Sequence, residues 1–168
     1  MEEELLKQRE QWNLTEEITM YGFQSPAKVR EIMEKSHIHL FTSNHLEGWG
    51  AVVNEAMNSG CAEVVNSQVG AAPFLVQHKQ NGLIYKEGSY EDFLACVLSL
   101  FENKEKITQY GMAAYESIIT EWNAETAAAR ILQFYENWQQ GIIAPPASGP
   151  LSIAPVISPR KMYKAVVR

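Results

Sequence analysis

Short β-rich runs alternate with helical segments through the first half of the chain, and this alternation limits the fold more than any other feature. The strands that we expect are 18–21, 37–41, 63–66 and 83–85. Strands that alternate with helices are typical of α/β domains with a parallel sheet. The sequence therefore predicts an α/β fold, a Rossmann-like parallel sheet flanked by helices. Because the chain opens on a helix at 2–11, where such a domain usually opens on a strand, we expect the first strand to be missing.

Helical spacing appears between these strands, continues through the second half of the chain and ends near residue 139. The later helices that we expect are 26–35, 50–59, 74–77, 90–102, 104–119 and 124–139. The last of these should bury one apolar side, made of Ala127, Ile131, Phe134, Tyr135 and Trp138. Residues 142–159 are rich in Pro, Ser, Ala and Gly, which predicts an extended connector before a short basic helix. We therefore expect a folded domain over 1–140, and a connector with a basic tail over 141–168.

Composition excludes several classes of protein. With 168 residues, of which 46% are hydrophobic, the chain can form one domain that buries roughly two-thirds of its unfolded surface. The net charge of −6 argues against nucleic acid as a partner. Cys61 and Cys96 are too few for a disulfide scaffold, and we expect them to be reduced, as in a cytoplasmic protein. No run is long and apolar enough to span a bilayer, and the acidic first residues are unlike a signal peptide.

The stretch 47–60, E-G-W-G-A-V-V-N-E-A-M-N-S-G, places two carboxylates and two glycines around the start of a predicted helix. In parallel α/β sheets, ligands bind beyond the carboxyl ends of strands and against helix N-termini. Gly48 and Gly50 let the backbone approach a ligand, because no Cβ stands in the way. The N–H groups of residues 50–53 have no partner inside the helix, so they can face a phosphate or the hydroxyls of a sugar.

Glu47 and Glu55 are the two carboxylates of this stretch. A carboxylate only accepts hydrogen bonds, which suits the neighbouring hydroxyls of a sugar or a ribose, and it would repel a diphosphate. The helix is nearly apolar all round, so we expect Glu55 to be buried, where an unpaired carboxylate is costly. Taken singly, each glutamate also fits a simpler interpretation, with Glu47 as a helix cap and Glu55 as a solvated helical residue.

The same stretch resembles the signature E-G-[FWY]-G-x-x-x-x-E-A-M-x-x-G of retaining GT-B glycosyltransferases of the group-1 type, whose two glutamates are also eight positions apart. The resemblance covers about residues 5–140. Besides the stretch above, the matching segments are 18–23, 37–43, 61–73 and 81–84. The resemblance implies that residues 1–140 are the nucleotide-sugar-binding, C-terminal half of a two-domain hexosyltransferase.

The resemblance also implies roles for individual residues. Glu47 is the catalytic candidate and contacts the hydroxyls of the donor sugar, while Glu55 holds the ribose. The other donor-binding candidates lie in the same loop and helix start or beside the base, and are Ser43, His45, Gly48, Trp49, Gly50, Ala51, Val52, Gly22 and Phe23. We expect Trp49 to shape the loop by packing rather than to stack on a base, and a solvated loop histidine is the alternative for His45. No cofactor and no metal is implied, because GT-B enzymes neutralise the leaving diphosphate with a helix dipole and basic side chains.

Three positions depart from the family pattern, with Ala62 in place of a proline, Glu63 in place of an apolar residue and Phe74 in place of a glutamate. A carboxylate at position 63, in a buried strand, needs a partner or an edge position. His37 and His39 lie on one side of a strand, and without an evident third ligand we interpret them as structural. The family's basic phosphate clamp and its acceptor-binding half have no counterpart in the sequence.

The first hypothesis is therefore the donor-binding half of a retaining glycosyltransferase of polysaccharide or cell-surface glycan biosynthesis. Its partners would be a nucleotide-sugar donor and a missing N-terminal acceptor domain, and alone it would bind donor weakly and transfer nothing. The alternative is a non-catalytic nucleotide-sugar-binding or scaffold domain that needs a partner chain, and a third hypothesis is half of a GT-B-like epimerase or phosphorylase. The basic tail at 157–168 either docks on the missing domain or contacts the inner face of an anionic membrane, for which it is short.

Overall fold

A computed structural model describes residues 2–154, and these residues form a parallel sheet of three strands. The strands lie side by side in chain order and are β1 (Ile38–Phe41), β2 (Ala62–Asn66) and β3 (Gly82–Tyr85). His39 on β1 is in register with Glu63 on β2, which is in turn in register with Gly82 on β3. The prediction of an α/β fold with a parallel sheet is confirmed.

Helices occupy most of the remaining described chain. They are α1 (Glu2–Gln11), α2 (Pro26–Glu34), α3 (Ala51–Asn58), α4 (Ala72–Leu75), α5 (Tyr90–Phe101), α6 (Lys104–Thr120) and α7 (Ala124–Gln139). The side chains of Ser25, Ser89 and Asn123 accept hydrogen bonds from the first turns of α2, α5 and α7, and each such cap stabilises its helix by about 1 kcal/mol. Helix α4 begins two residues earlier than predicted, because Pro73 fits a first turn and the backbone is already extended at Val76.

Helices cover both faces of the sheet. On one face, α3 and α4 pack against Val65 and Ile84, and on the other face α5 packs against Val64 and Leu83. Helix α6 contributes side chains to both of these clusters. Strand β2 is buried along its whole length, as is usual for a central parallel strand that is covered on both faces. The carboxyl ends of the strands therefore share one edge of a close-packed core.

A pair of glycines brings α6 close to the turn before β2. A Cβ at Gly111 would overlap the carbonyl oxygen of Gly60, and Gly60 itself has a φ of +78°. Both positions need glycine for different reasons, since Gly111 makes room for a neighbouring backbone and Gly60 adopts a left-handed conformation. This close approach brings the middle of α6 against the turn before β2.

The predicted strand at 18–21 is wrong. The segment is irregular, and Ile18, Met20 and Tyr21 are exposed. A strand needs a neighbour that completes its hydrogen-bond ladder. In a doubly wound sheet of order 3-2-1-4-5-6, two other strands lie between the third strand and the fourth, so a strand that precedes α2 would pair with a strand other than β1. Residues 2–154 hold no such neighbour.

The apolar side predicted for α7 is correctly spaced but is not buried. Ile131, Tyr135 and Trp138 each have more than half of their surface exposed, and α7 contains no buried residue. Three strands spaced about 4.8 Å apart give a face roughly 15 Å wide, which accommodates one or two helices about 10 Å across. Because α3, α4, α5 and α6 already cover both faces, no sheet surface is left for α7. Trp122, in the turn before α7, packs against the core and is half-buried.

The end of the chain was predicted as a connector and a basic tail. Residues 142–154 contain no helix or strand, and the predicted tail helix lies outside the described residues. The division of the chain at 140/141 stays a prediction. No helix within residues 2–154 combines the length and the apolar character needed to cross a bilayer.

Candidate functional site

The junction loop, residues 42–50, connects the end of β1 to the start of α3. Its last residue, Gly50, is the N-cap of α3 and has a left-handed φ of +91°, which costs other residues about 1–2 kcal/mol. A Cβ at this position would lie 2.8 Å from Val69 Cγ1 and 3.0 Å from the ring of Phe41. Position 50 therefore requires glycine, and α3 begins directly against the carboxyl edge of the sheet.

The junction loop rests on the turn that follows β2. A Cβ at Gly70 would overlap the carbonyl oxygen of Gly48, and the Ala71 N–H donates to the Trp49 carbonyl oxygen at 2.7 Å. Gly48 faces open space on its other side, since no atom lies within 4 Å of a Cβ added there. The backbone at 48–49 is thus supported from the sheet and open to an approaching ligand.

The first turn of α3 presents free backbone donors. The N–H groups of Gly50, Ala51 and Val52 donate to no group within residues 2–154, whereas the Val53 N–H donates to the Gly50 carbonyl oxygen at 2.9 Å. Three of the four N–H groups in the prediction therefore have no partner within residues 2–154; of these residues Ala51 is exposed, Val52 is half-buried and Gly50 is buried. The fourth N–H has a partner, because the helix closes its first turn with a tight bond over three residues. A helix N-terminus with free N–H groups attracts anions.

The indole of Trp49 is held by three side chains. Its Nε1 donates to Asn54 Oδ1 at 2.9 Å, and its ring lies 5.6 Å from the ring of Phe74 and 6.2 Å from that of Trp122. These distances are typical of favourable aromatic pairs. Trp49 therefore packs and shapes the junction loop, as we expected from the sequence.

Glu47 and Glu55 have no side-chain partner among the described residues. Glu47 is half-buried in the junction loop, and Glu55 is exposed on α3. The expectation that Glu55 is buried is wrong, because α3 buries only Val53, Ala56 and Met57 and turns its polar residues outward. Both carboxylates are consequently free to accept hydrogen bonds from a ligand.

Glu55 lines a surface pocket of about 680 Å³ between α2 and α3. Phe23, whose side chain is 99% exposed, lies at the same pocket, so the structure brings two of the predicted site residues together. Sequence reasoning missed Gln24, Arg30 and Asn58, which also line it. Only the packing of α2 against α3 shows that these polar residues face Glu55.

The remaining predicted residues do not line this pocket. Glu47, Ser43 and His45 belong to the junction loop, where Ser43 is half-buried and His45 is exposed. Gly22 precedes Phe23 with a φ of +58° and faces open space. The structure therefore shows two parts, a pocket at Glu55 and Phe23, and a junction loop that carries Glu47 and leads into the unpaired N–H groups at the start of α3.

Glu63 finds its partner on the neighbouring strand. It is fully buried, and its two carboxylate oxygens lie 2.9 and 3.1 Å from His39 Nδ1. Burial raises the pKa of Glu63, and the hydrogen bond and charge of His39 act in the opposite direction. The need for a partner was evident from the sequence, and the register of β1 and β2 supplies it. His39 is thus a structural residue.

Neither cysteine has the properties of a nucleophile. Burial raises the pKa of the Cys61 thiol to about 11, with a further rise from Glu63, and burial raises the pKa of Cys96 to about 11. Cys61 Sγ donates to the Met33 carbonyl oxygen at 3.3 Å. Both thiols are free and protonated near neutral pH. Within residues 2–154 no three His, Cys, Asp or Glu side chains are grouped so as to hold a metal ion.

Comparison with known proteins identifies the family of the chain. The sequence model of the family described as "Glycosyl transferases group 1" matches residues 1–117. The chain belongs to this family. The match extends from α1 into α6 and includes the junction loop and Glu55, so the predicted resemblance to group-1 glycosyltransferases is confirmed.

Two curated relatives of this group-1 chain are GDP-mannose-dependent α-(1-6)-phosphatidylinositol monomannoside mannosyltransferases from two strains of Mycobacterium tuberculosis. Each is 30% identical to the chain over 89 residues, which is 53% of the chain and 23% of the relative. The group-1 chain thus spans about a quarter of the length of the curated relatives that it matches.

Solved structures share the fold of this group-1 chain. The C-terminal domain of the group-1 glycosyl transferase LpcC from Francisella tularensis matches with a TM-score of 0.63 and 23% identity, over 71% of the chain and 60% of that domain. HepE from Anabaena, solved with UDP and glucose, matches with a TM-score of 0.66 and 21% identity, over 80% and 36% of the two chains. Sucrose-phosphate synthase from Thermosynechococcus elongatus matches at 0.63 and 15%, over 82% and 34%. The fold is therefore that of the C-terminal domain of a GT-B glycosyltransferase.

Proposed function

We propose that this chain is the donor-binding half of a retaining group-1 glycosyltransferase and that it binds a nucleoside diphosphate hexose at the start of α3. The observation that carries the proposal is the arrangement at the junction loop. Three N–H groups without a partner within residues 2–154, at Gly50, Ala51 and Val52, lie in the chain between Glu47 and Glu55, two carboxylates without side-chain partners in the same range. Donors for an anion and acceptors for hydroxyls are what a sugar diphosphate requires.

Each part of the donor would meet complementary chemistry. The N–H groups of the first turn of α3 would hold the diphosphate, and the helix dipole adds about 0.3–1 kcal/mol for an anion there. Glu55 would accept hydrogen bonds from the ribose hydroxyls, with the base beside Phe23 in the same pocket and near the preceding Gly22. Glu47 would accept hydrogen bonds from the sugar hydroxyls, next to the open backbone of Gly48.

The same groups would act during transfer. As the bond between the sugar and the diphosphate breaks, negative charge grows on the leaving phosphate, and the free N–H groups would face it. Fixed donors that meet a developing charge are worth more in a transition state than in the ground state. Glu47 would orient the sugar, and no metal is needed for these steps.

The relatives support a hexosyl donor. HepE was solved with UDP and glucose, and the curated relatives are named as GDP-mannose-dependent mannosyltransferases. We propose a hexose of this kind for the chain, with an acceptor domain that precedes it in the whole enzyme. A role in polysaccharide or cell-surface glycan synthesis, a cytoplasmic location and contact with the membrane remain predictions.

The direct test is titration of the chain with UDP, GDP and ADP by calorimetry. The proposal expects at least one nucleotide to bind, and Glu55→Gln to weaken it roughly tenfold or more, because charge-assisted hydrogen bonds to the ribose are worth about 1.5–3 kcal/mol. Glu116→Gln is the matched control, since Glu116 is an exposed helical glutamate on α6 and lies outside the pocket. Equal affinity of wild type and Glu55→Gln would contradict the proposal.

A second candidate is a non-catalytic nucleotide-sugar-binding domain that needs a partner chain. It is favoured by the scarcity of basic side chains at the pocket, where Arg30 is the lining cation and is itself paired with Glu34 at 3.2 Å. Assaying sugar release from the bound donor after an acceptor half is added distinguishes the two candidates. Release supports the enzyme, and binding without release supports the scaffold.

A further inference from the structure

We propose that Trp122, in the turn between α6 and α7, is a positioning residue for the junction loop. It would hold Trp49 in place and thereby set the affinity of the chain for a nucleoside diphosphate. This inference rests on the proposed function, and it adds a residue far along the chain that neither the signature nor the pocket includes. It also lies beyond residues 1–117, which the family model matches.

Three rings from separate parts of the chain meet beside the free N–H groups. Trp49 comes from the junction loop, Phe74 from α4 and Trp122 from the turn after α6. Their ring centroids are 5.6 Å apart for Trp49 and Phe74, 6.2 Å for Trp49 and Trp122, and 6.3 Å for Phe74 and Trp122. Each ring therefore contacts the other two, and we call this set the aromatic cluster.

One ring of the aromatic cluster is a departure from the family pattern. Phe74 occupies the position where the pattern resembled by this sequence has a glutamate. A carboxylate at that place would require water or a cationic partner and could not pack between two indoles. With phenylalanine there, α4 joins Trp122 to the junction loop. Phe74 and Trp122 thus belong to the same aromatic cluster.

The turn that carries Trp122 is well anchored. The Trp122 N–H donates to the Ser117 carbonyl oxygen at 3.1 Å, and Asn123 caps α7 by accepting from the Thr126 N–H at 2.7 Å. The adjacent Glu121 accepts from Ser148 Oγ at 2.7 Å. A side chain on a backbone fixed by two helix ends can hold its neighbour accurately.

Trp49 connects the Trp122 ring to the junction loop. Its Nε1 donates to Asn54 on α3, and its carbonyl oxygen accepts from the Ala71 N–H. The residue that follows is Gly50, where the free N–H groups begin. Loss of the Trp122 ring would let Trp49 sample other orientations, and the N–H groups would then be aimed less accurately at a phosphate.

The experiment uses a background with Trp12→Phe and Trp138→Phe, two exposed tryptophans outside the aromatic cluster. In this background Trp122→Leu and Trp122→Phe each leave Trp49 as the single tryptophan. Acrylamide quenching then reports the exposure of Trp49, and calorimetry with UDP and GDP reports affinity. Trp138→Leu in the otherwise unchanged chain is the control for losing a tryptophan.

The expected result is a roughly three- to tenfold loss of nucleotide affinity in Trp122→Leu, the equivalent of one or two aromatic contacts. Trp122→Phe should retain affinity within about twofold because it restores a ring, and Trp138→Leu should bind like wild type. Quenching of Trp49 should be greater in Trp122→Leu than in Trp122→Phe. A residue that only stabilises the fold would lower the melting temperature and leave both the affinity and the quenching of the folded protein unchanged.

Equal affinity and equal quenching in Trp122→Leu and Trp122→Phe would overturn the inference. If Trp122→Leu does not fold, Phe74→Leu removes a ring from the opposite side and must show the same loss. If wild type binds no nucleoside diphosphate, the proposed function fails, and the quenching comparison still decides whether Trp122 holds Trp49.

Discussion

Replacing His39 with alanine removes the partner of a buried carboxylate. Glu63 is fully buried in β2, and both of its oxygens lie within 3.1 Å of His39 Nδ1. Removing one member of a buried pair typically costs about 3–5 kcal/mol, a large share of the roughly 5–15 kcal/mol by which a domain is stable. Glu63 can lower this cost by binding a proton, so the loss of stability depends on pH.

The sign of this dependence follows from Glu63. Burial raises the pKa of Glu63 above its ordinary value of 4.5, and His39 opposes the rise, so the pKa rises further in His39→Ala. A group whose pKa is raised by folding contributes stability that is complete below its unfolded pKa and is lost as the pH rises through its folded pKa. The free energy of unfolding of the variant should therefore be closest to that of wild type in acid. As the pH rises, it should fall below that of wild type by at most about 1.4 kcal/mol per pH unit.

Urea unfolding followed by circular dichroism at about pH 5 and about pH 8 measures this difference. Glu63→Gln is the matched variant, because its amide has nearly the same shape and carries no charge. In the Glu63→Gln background, His39→Ala should show the same loss at both pH values. The reasoning is refuted if His39→Ala alone loses equal stability at both, or if the pH dependence persists without the carboxylate.

Three glycine substitutions form a graded series in the free energy of unfolding, measured by urea denaturation. Gly50→Ala combines a left-handed φ with a Cβ 2.8 Å from Val69 Cγ1, and we expect a loss of about 2–4 kcal/mol. Gly111→Ala would push its Cβ into the Gly60 carbonyl oxygen, and we expect a loss of about 1–3 kcal/mol. Gly48→Ala, whose Cβ would meet open space, should change stability by less than about 0.5 kcal/mol. Equal losses at Gly48 and Gly50 would contradict the geometry of the junction loop.

The sequence was sufficient wherever the signal is local. β1, β2 and β3 follow from short runs of aliphatic and aromatic residues, and the start of α7 follows from the cap at Asn123. The strand expected at 18–21 failed because pairing is decided by distant residues, which a local pattern does not contain. For the same reason the spacing of apolar residues on α7 was correct, while their burial was not.

The candidate site was likewise predictable where the signal is local and not where it depends on distant contacts. The signature located the junction loop and the start of α3, where the Ala51 N–H and the carboxylates of Glu47 and Glu55 have no partner within residues 2–154. The burial of Glu55 was misjudged, because the helix is apolar in composition yet has one outward side. The pairing of His39 with Glu63 could not be predicted without the register of the two strands. The contact of Trp122 with Trp49 joins residues so far apart in the chain that no sequence spacing reveals it.

The central claim is that the start of α3 binds the phosphates of a nucleotide through the N–H groups of Gly50, Ala51 and Val52. At 19.0 kDa the chain is suited to amide NMR, and titration with UDP or GDP tests the claim directly. The account predicts that the amide signals of these three residues shift together with that of Glu55, at the same nucleotide concentration. Shifts confined to other parts of the chain, with residues 50–52 unmoved at saturation, would contradict it.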